Sequence, residues 1–223
     1  MKKRAILIPC AIVAGLAIAV ATPFAVLGVR TAMINSDYDY LKNDATYGAK
    51  AEIQSLNLVT QHISCGYATI EMMSDYYGNK VTEDDLNSAN QGAISTSSSD
   101  GFLVEARRSI SGVETSKYSY LKNDELLKKT HDSIKNGNPV ALEWAAQYEG
   151  EWTLHFSLVS GMDLSNDRIT VYNPYGYIES ISSNEFIDRT SFQAYSNMPI
   201  FLSFGFAFGA FEKNTIFVPE RIA

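Results

Sequence analysis

Cysteine is nearly absent from this sequence of 223 residues, which contains only Cys10 and Cys65. Cys10 lies inside a long hydrophobic stretch near the N terminus, so the remainder of the chain holds a single thiol and cannot form an internal disulfide. The same count excludes zinc sites that are built on pairs of cysteines. A thiol without a partner is either buried as a small apolar residue or kept for its reactivity.

Basic residues are also scarce beyond the N terminus. All 25 acidic residues but only 14 of the 18 Lys and Arg residues follow Arg30, which gives residues 31–223 a formal charge of −11. A surface of this sign repels nucleic acids and anionic lipids, and the sequence has no basic stripe with interleaved aromatic residues. A glycine-rich ATP-binding loop is missing as well. We therefore expect a partner other than nucleic acid.

Charge is missing altogether from the hydrophobic run Ala5–Val29, which follows Lys2, Lys3 and Arg4. Such a run is long enough to cross a bilayer as a helix, which takes roughly 20 apolar residues. It also fits a secretory signal, with a small-residue cleavage site at Ala19-Val20-Ala21. Its length favours an uncleaved anchor over a cleaved signal. In both cases the basic residues stay in the cytoplasm, which predicts a domain outside the cell membrane, either held by a single span or secreted.

The chain is predicted to hold a signal anchor or signal peptide over residues 1–30, a stalk or linker over 31–55 and one folded domain over 56–223. Apolar spacing and capping residues predict helices over Val81–Leu86, Phe102–Ile110 and Asp124–Ile134. Alternating apolar residues predict strands over Val140–Trp144, Trp152–Gly161, Arg168–Tyr172, Ile200–Phe204 and Thr215–Val218. Helices first and antiparallel strands second indicate an α+β fold. The aromatic-rich stretch Phe201–Phe211 is predicted to lie in the sheet core.

The most informative stretch runs from Gln61 through Cys65 to Gly78. Cys65 follows a polar turn and opens an amphipathic segment in which Met72 and Tyr76 share one face at helical spacing. A thiol at a helix start faces unpaired backbone N–H groups and the positive end of the helix dipole, which favours its thiolate. The alternative is a buried structural cysteine. If Cys65 is a nucleophile, the amide of Gln61, four residues earlier, is a candidate donor to an oxyanion.

Two further residues have the chemistry that a nucleophilic thiol requires. His155 lies in the middle of an alternating strand, and imidazole is the usual base for a thiol because its unperturbed pKa is roughly 6.5. Asn173 follows the next strand, where its side-chain carbonyl is able to accept from the imidazole and fix its tautomer. Both also have ordinary structural readings, as a hydrogen-bonded strand histidine and a turn-forming asparagine. His62 is a competing base that lies in the same turn as the thiol, and His131 is predicted to be a surface or capping residue.

The order of these residues resembles the papain-like cysteine peptidases, in particular the bacterial branch whose founding members cleave double-glycine leader peptides of bacteriocins. The matching residues are Gln61, Ser64–Ala68, Met72, Tyr76–Gly78, Gly137–Val140, His155–Gly161 and Ile169–Gly176. The resemblance covers about Leu56 to Tyr177. It implies a papain-like fold, in which N-terminal helices pack on a C-terminal antiparallel sheet, and a reaction that uses no metal or cofactor.

The resemblance also implies a role for each residue. Cys65 is the nucleophile and His155 the general base and acid. Asn173 orients the imidazole, in a position where this branch more often has Asp, and Gln61 is the oxyanion donor, although it lies closer to the cysteine than is usual. The founding members are fused to a transporter, whereas this chain resembles the stand-alone, exported relatives. The implied function is hydrolysis of a peptide or protein substrate by a monomer; the alternatives are acyl or amide transfer on the same triad and a non-catalytic peptide-binding module.

Overall fold

The computed structural model describes residues 22–222 and begins in a helix that ends at residue 34 (α1). Six further α-helices follow along the described chain: α2 (Cys65–Tyr76), α3 (Glu83–Ala89), α4 (Ser99–Ser109), α5 (Asn123–Lys135), α6 (Ser183–Thr190) and α7 (Ile200–Phe208). The same residues form seven β-strands: β1 (Ala51–Glu52), β2 (Val113–Tyr118), β3 (Val140–Tyr148), β4 (Glu151–Asp163), β5 (Arg168–Asn173), β6 (Tyr177–Ile181) and β7 (Thr215–Arg221).

These strands form one antiparallel sheet in the order β2-β7-β3-β4-β5-β6, and the short β1 pairs with β4. β3 and β4 are joined as a hairpin in which Trp144 lies opposite His155. The pairing of β4 with β5 sets Leu158 opposite Tyr172. Helices and an antiparallel sheet in one fold confirm the predicted α+β class.

Helices cover both faces of the sheet, because successive residues of a strand point to opposite sides. In β3, Leu142 and Trp144 pack in one cluster with apolar side chains of α5 and α6, whereas Ala141 belongs to a second cluster with α2 and α4. The second cluster includes the stacked rings of Phe102 and Phe156, whose centroids are 4.5 Å apart. This packing holds α2 against β4, the strand that carries His155.

The predicted helices and four of the five predicted strands are confirmed within a few residues at each end. In α3, Thr82 is the N-cap and forms a reciprocal capping box with Asp85, as its sequence predicts. The strand predicted over Ile200–Phe204 is wrong, because these residues open α7. Phe201 and Phe208 are 67% and 75% exposed, so the prediction that this stretch lies in the sheet core is also wrong. A short apolar run does not by itself distinguish a strand from a helix.

Three elements are missing from the sequence prediction, and one residue is placed wrongly by it. β2, β6 and α6 are not predicted, because their residues alternate weakly or are largely polar. His131 is fully buried in α5, and its Nε2 lies 2.8 Å from the backbone oxygen of Ala49, so its assignment to the surface is wrong.

Residues 31–55, predicted as a stalk or linker, pack against the sheet. Leu41 is fully buried, and Ala51 of β1 pairs with Met162 of β4. The backbone N–H of Ile53 donates to the backbone oxygen of Ser160 at 2.8 Å. This segment contributes to the core, while the boundaries of the predicted domain stay a prediction.

The predicted anchor lies largely in residues 1–21, outside the described part of the chain. α1 lies beside α7, since the rings of Phe24 and Phe204 are 6.3 Å apart and Arg30 Nη1 donates to the backbone oxygen of Phe206 at 2.8 Å. Within residues 22–222, no helix has the length and apolar character that crossing a bilayer requires.

Candidate active site

Cys65 is the first residue of α2, and its local sequence explains why the helix begins there. Ser64 has extended backbone angles and caps the helix, because its hydroxyl oxygen accepts the backbone N–H of Tyr67 at 3.1 Å. The backbone N–H groups of Phe156, Gly66 and Cys65 itself bond toward the sulfur and lower its pKa. Burial outweighs them and raises the pKa of the Cys65 thiol, although the residue keeps some exposed surface. The backbone N–H groups thus favour the thiolate, as predicted for a helix start, while burial acts more strongly in the opposite direction.

Gly66 explains why a glycine follows the cysteine. A Cβ on Gly66 would lie 2.3 Å from Thr96 Oγ1 and 2.4 Å from Thr96 Cβ. Only a residue without a side chain lets the loop before α4 approach the start of α2 this closely. Packing alone is therefore enough to explain the glycine of the Cys-Gly pair.

His155 and Asn173 are brought together by the sheet. His155 Nε2 lies 2.9 Å from Asn173 Oδ1, and both side chains are almost completely buried. Burial lowers the pKa of His155 to about 3, although the hydrogen bond that the ring donates to Asn173 favours the charged form. The imidazole is therefore neutral at physiological pH, with one ring nitrogen protonated and the other carrying a lone pair.

The tautomer of His155 follows from the other contacts of Asn173. Asn173 Oδ1 also accepts the backbone N–H of Tyr175 at 2.9 Å, and its Nδ2 donates to Glu179 Oε1 at 2.6 Å. These two bonds assign the oxygen and the nitrogen of the amide. Since Oδ1 accepts, His155 Nε2 carries the hydrogen, and its Nδ1 keeps a lone pair that is able to accept a proton.

Glu179 extends this arrangement into a buried ion pair. Glu179 Oε2 lies 2.5 Å from Arg189 Nη1, and the side chains are 14% and 5% exposed. The Arg189 guanidinium lies 3.4 Å above the ring of Trp144, and its Nε donates to the backbone oxygen of Ala145 at 2.9 Å. Neither Glu179 nor Arg189 belongs to a sequence motif, and β6 and α6, which carry them, have no clear sequence pattern, so neither residue is predicted from the sequence. The ion pair fixes Glu179, and Glu179 in turn fixes the amide of Asn173.

Tyr175 covers the imidazole. Its ring stacks on that of His155 at a centroid distance of 4.0 Å, and its hydroxyl lies 2.9 Å from Thr153 Oγ1. Tyr175 also interacts electrostatically with Cys65, and burial raises the pKa of its phenol. The sulfur therefore lies near the backbone N–H of Phe156, which follows His155, and near the Tyr175 ring, which stacks on the imidazole.

The predicted oxyanion donor lies next to these residues. The backbone N–H of Gln61 donates to the backbone oxygen of Pro174 at 2.8 Å, which sets Gln61 beside the residue that follows Asn173. Its side-chain oxygen Oε1 is buried and has no hydrogen-bond partner among the described residues. A buried polar atom without a partner is costly. This atom is an acceptor, so the donor role predicted for Gln61 depends on the NH₂ group of the same amide.

His62, the competing base, faces carboxylates. Its Nδ1 lies 3.1 Å from Glu83 Oε1 and its Nε2 lies 3.3 Å from Asp84 Oδ1. The hydrogen bond to Asp84, with the negative charge of Glu83, raises the pKa of His62. Both ring nitrogens are thus occupied, and the alternative role as base to Cys65 has no geometric support.

Comparisons with known proteins agree with this fold. The model of the Peptidase_C39 like family matches residues 53–200, which is more than half of the chain. Among solved structures, a double glycine motif protease from an AMS/PCAT transporter, crystallised in complex with its leader peptide, aligns with a TM-score of 0.50 at 15% sequence identity. The alignment covers 77% of this chain and 99% of that one. No curated protein matches the chain. The papain-like fold and the matched family model together show that this chain is a cysteine peptidase that belongs to the Peptidase_C39 like family.

Proposed function

We propose that the protein hydrolyses peptide bonds through Cys65, His155 and Asn173, with Gln61 as an oxyanion donor. The observation that carries the proposal is the bond between His155 Nε2 and Asn173 Oδ1, because it leaves Nδ1 as the only basic position of the ring. The contact of the sulfur with the backbone N–H of Phe156 supports it, since this N–H directly follows His155 in the chain.

In the first half of the proposed reaction, His155 Nδ1 takes the thiol proton while the sulfur of Cys65 attacks the substrate carbonyl carbon. The C–S bond forms, and the carbonyl electrons move to the oxygen. The backbone N–H of Cys65 and the amide of Gln61 donate to this oxyanion. The intermediate collapses when the C–N bond breaks, and the imidazolium gives its proton to the leaving amine.

In the second half, water attacks the thioester and His155 again serves as the base. The C–S bond breaks, the carboxylate product leaves and the thiol recovers its proton from the imidazolium. Asn173 keeps the imidazole in the tautomer that permits both transfers, and it is not itself protonated.

Peptides or proteins are the proposed substrates. The structural neighbour is a protease in complex with a leader peptide, which supports a peptide in the same cleft. Cleavage after a double glycine is not part of the proposal. The formal charge of −11 over residues 31–223 favours substrates with basic side chains.

We also propose that the domain acts outside the cell membrane, either anchored or secreted. Three basic residues precede the uncharged run Ala5–Val29, as in a signal anchor. In intact cells, an added protease should degrade the domain and a thiol reagent that cannot cross membranes should label Cys65; protection from both reagents would contradict this location.

The peptidase proposal is tested by acylation with p-nitrophenyl acetate, which releases p-nitrophenol as the thiol is acylated. We expect rapid release by the wild type and the background rate for Cys65→Ala and His155→Ala. The matched histidine control is His62→Gln, which should react like the wild type. Equal acylation of His155→Ala and the wild type would overturn the proposed base.

The fate of the acyl group separates the two catalytic alternatives. Hydrolysis of a labelled protein such as casein, seen by mass spectrometry as free new C termini, supports a peptidase. Transfer of the acyl group to an added primary amine would identify a transferase on the same residues. A protein that binds a peptide equally well as wild type and as Cys65→Ser, without turnover, would be a binding module.

A further inference from the structure

The buried carboxylate of Glu83 gathers the loop that leads into Cys65. Glu83 Oε1 accepts the backbone N–H of His62 at 3.0 Å. Its Oε2 accepts the backbone N–H groups of Ile63 and Ser64, both at 2.9 Å. The Glu83 side chain has 0% exposed surface. Three consecutive peptide groups thus converge on one carboxylate, and bonds of this kind to an ionised acceptor are stronger than neutral ones.

The same loop is held at both of its ends. The backbone N–H of Gln61 bonds to Pro174, beside Asn173, and the hydroxyl of Ser64 caps the first turn of α2 through Tyr67. Each backbone N–H from residue 61 to residue 64 therefore has a defined acceptor. The loop has little freedom to turn its peptide planes.

Glu83 is itself fixed by the helices around it. As the first residue of α3 it follows the N-cap Thr82, and its backbone N–H donates to Glu71 Oε2 on α2 at 2.7 Å. Within residues 22–222, its ion-pair partner is the half-exposed ring of His62. Backbone N–H dipoles therefore compensate most of its charge.

The orientation of this loop bears on the oxyanion site. The N–H of Cys65 belongs to the peptide unit that begins at Ser64, whose own N–H is bonded to Glu83. An oxyanion donor acts only when it is aimed at the place where charge develops. A misplacement of about 1 Å costs on the order of 100-fold in rate.

We propose that Glu83 is a positioning residue of this peptidase. Its carboxylate holds residues 62–64 so that the backbone N–H of Cys65 and the side chain of Gln61 are aligned for the oxyanion. Glu83 acts through the loop and does not touch the substrate. This proposal rests on the proposed function.

Glu83→Gln is the appropriate variant because it keeps the volume of the side chain. Both oxygens of Glu83 accept backbone N–H groups, whereas an amide offers one oxygen and one NH₂. Glutamine must therefore leave at least one N–H of the loop facing another donor. Asp84→Asn is the matched control, since Asp84 is the next residue, its side chain is 80% exposed and its carboxylate pairs with the His62 ring.

The test compares two reactions of the same thiol. Acylation by p-nitrophenyl acetate passes through an oxyanion, whereas alkylation by iodoacetamide displaces iodide directly and does not. We expect Glu83→Gln to acylate about 10-fold to 100-fold more slowly than the wild type. The rate at which iodoacetamide alkylates this variant should stay within about threefold of the wild-type rate, because the nucleophile and its base are unchanged. Asp84→Asn should match the wild type in both reactions.

Each other outcome overturns the proposal in a distinguishable way. Unchanged acylation of Glu83→Gln, with Cys65-dependent acylation in the wild type, overturns the role of Glu83 alone. An equal change in both rates, with a lower melting temperature, assigns Glu83 to stability only. Wild-type acylation no faster than that of Cys65→Ala overturns the proposed function and this inference together. If Glu83→Gln does not fold, Glu83→Asp keeps the charge, and an unchanged ratio of the two rates in that variant overturns the proposal.

Discussion

The amide of Asn173 donates from Nδ2 to Glu179 Oε1 over 2.6 Å, across the pairing of β5 with β6. The other atom of the same amide, Oδ1, accepts from His155. A carboxylate at position 173 would accept from the imidazole equally well, but it would have no hydrogen to give to Glu179. The presence of Glu179 therefore accounts for asparagine rather than aspartate at position 173.

Asn173→Asp should destabilise the protein at neutral pH, because two carboxylates would then face each other at hydrogen-bond distance. Adding Glu179→Gln should restore most of the loss, since glutamine is able to donate to Asp and accept from Arg189. Urea unfolding of the wild type, both single variants and the double variant should give a coupling energy of about 0.5–3 kcal/mol. If the free-energy changes of Asn173→Asp and Glu179→Gln simply added in the double variant, the proposed contact between residues 173 and 179 would be contradicted.

Arg189→Met should lower the free energy of unfolding by about 3–5 kcal/mol, because it leaves the partly buried carboxylate of Glu179 without its cation. Methionine keeps much of the apolar contact with Trp144, so the loss reports mainly the charge. The double variant Arg189→Met with Glu179→Leu should lose less unfolding free energy than Arg189→Met alone. Arg168→Met, on the exposed side of β5, serves as the control and should stay within about 0.5 kcal/mol of the wild type.

The burial of His155 predicts stability that is lost on acidification. Its pKa is about 3 in the folded protein, against an ordinary value near 6.5, so between these pH values the unfolded chain binds a proton that the native state does not. Stability therefore rises with pH from about 3 to about 6.5 and then levels off. The free energy of unfolding should be measured in urea at several pH values for the wild type and for His155→Gln. The difference between the two proteins should rise with pH over this range, by at most about 1.4 kcal/mol per pH unit. An identical slope in both proteins would rule out the buried neutral imidazole.

Glu143 predicts the opposite slope. It lies on β3, its carboxylate bonds to the hydroxyl of Ser99, and burial, with the charge of Glu212, raises its pKa to about 7. Between about 4.5 and 7 the native state holds a proton that the unfolded chain has lost, so this contribution to stability falls as pH rises. Glu143→Gln keeps the shape and a hydrogen bond but cannot ionise. The difference in unfolding free energy, variant minus wild type, should therefore increase when the pH is raised from 4 to 8. A difference that stays constant over this range would contradict the prediction.

Gly66→Ala should cost about 1–3 kcal/mol of folding free energy, because the new methyl group would overlap Thr96. The collision lies at the start of α2, so the rate of thiol acylation should fall as well. Gly28→Ala, where a Cβ would have no neighbour within 4 Å, is the control and should leave thermal unfolding nearly unchanged.

Local patterns predicted the elements on which the candidate residues lie. The helix that begins at Cys65 follows from Ser64 and the apolar spacing after it, and the strand of His155 follows from regular alternation. The strand prediction at α7 is wrong because Ile200–Phe208 is rich in apolar and aromatic residues, which favour a strand locally. Its apolar residues show no helical periodicity that would indicate a helix.

The sequence by itself therefore determined the family and the α+β class, and it placed the candidate thiol, imidazole and amide on their elements, since these depend on residue types at short spacing. Only the tertiary structure decided that Glu83 holds the loop before the thiol, that Glu179 and Arg189 hold Asn173, and that burial leaves the imidazole uncharged. Strand register and the packing of distant segments set these contacts, and the degree of burial set the protonation states. No local pattern of residues contains that information.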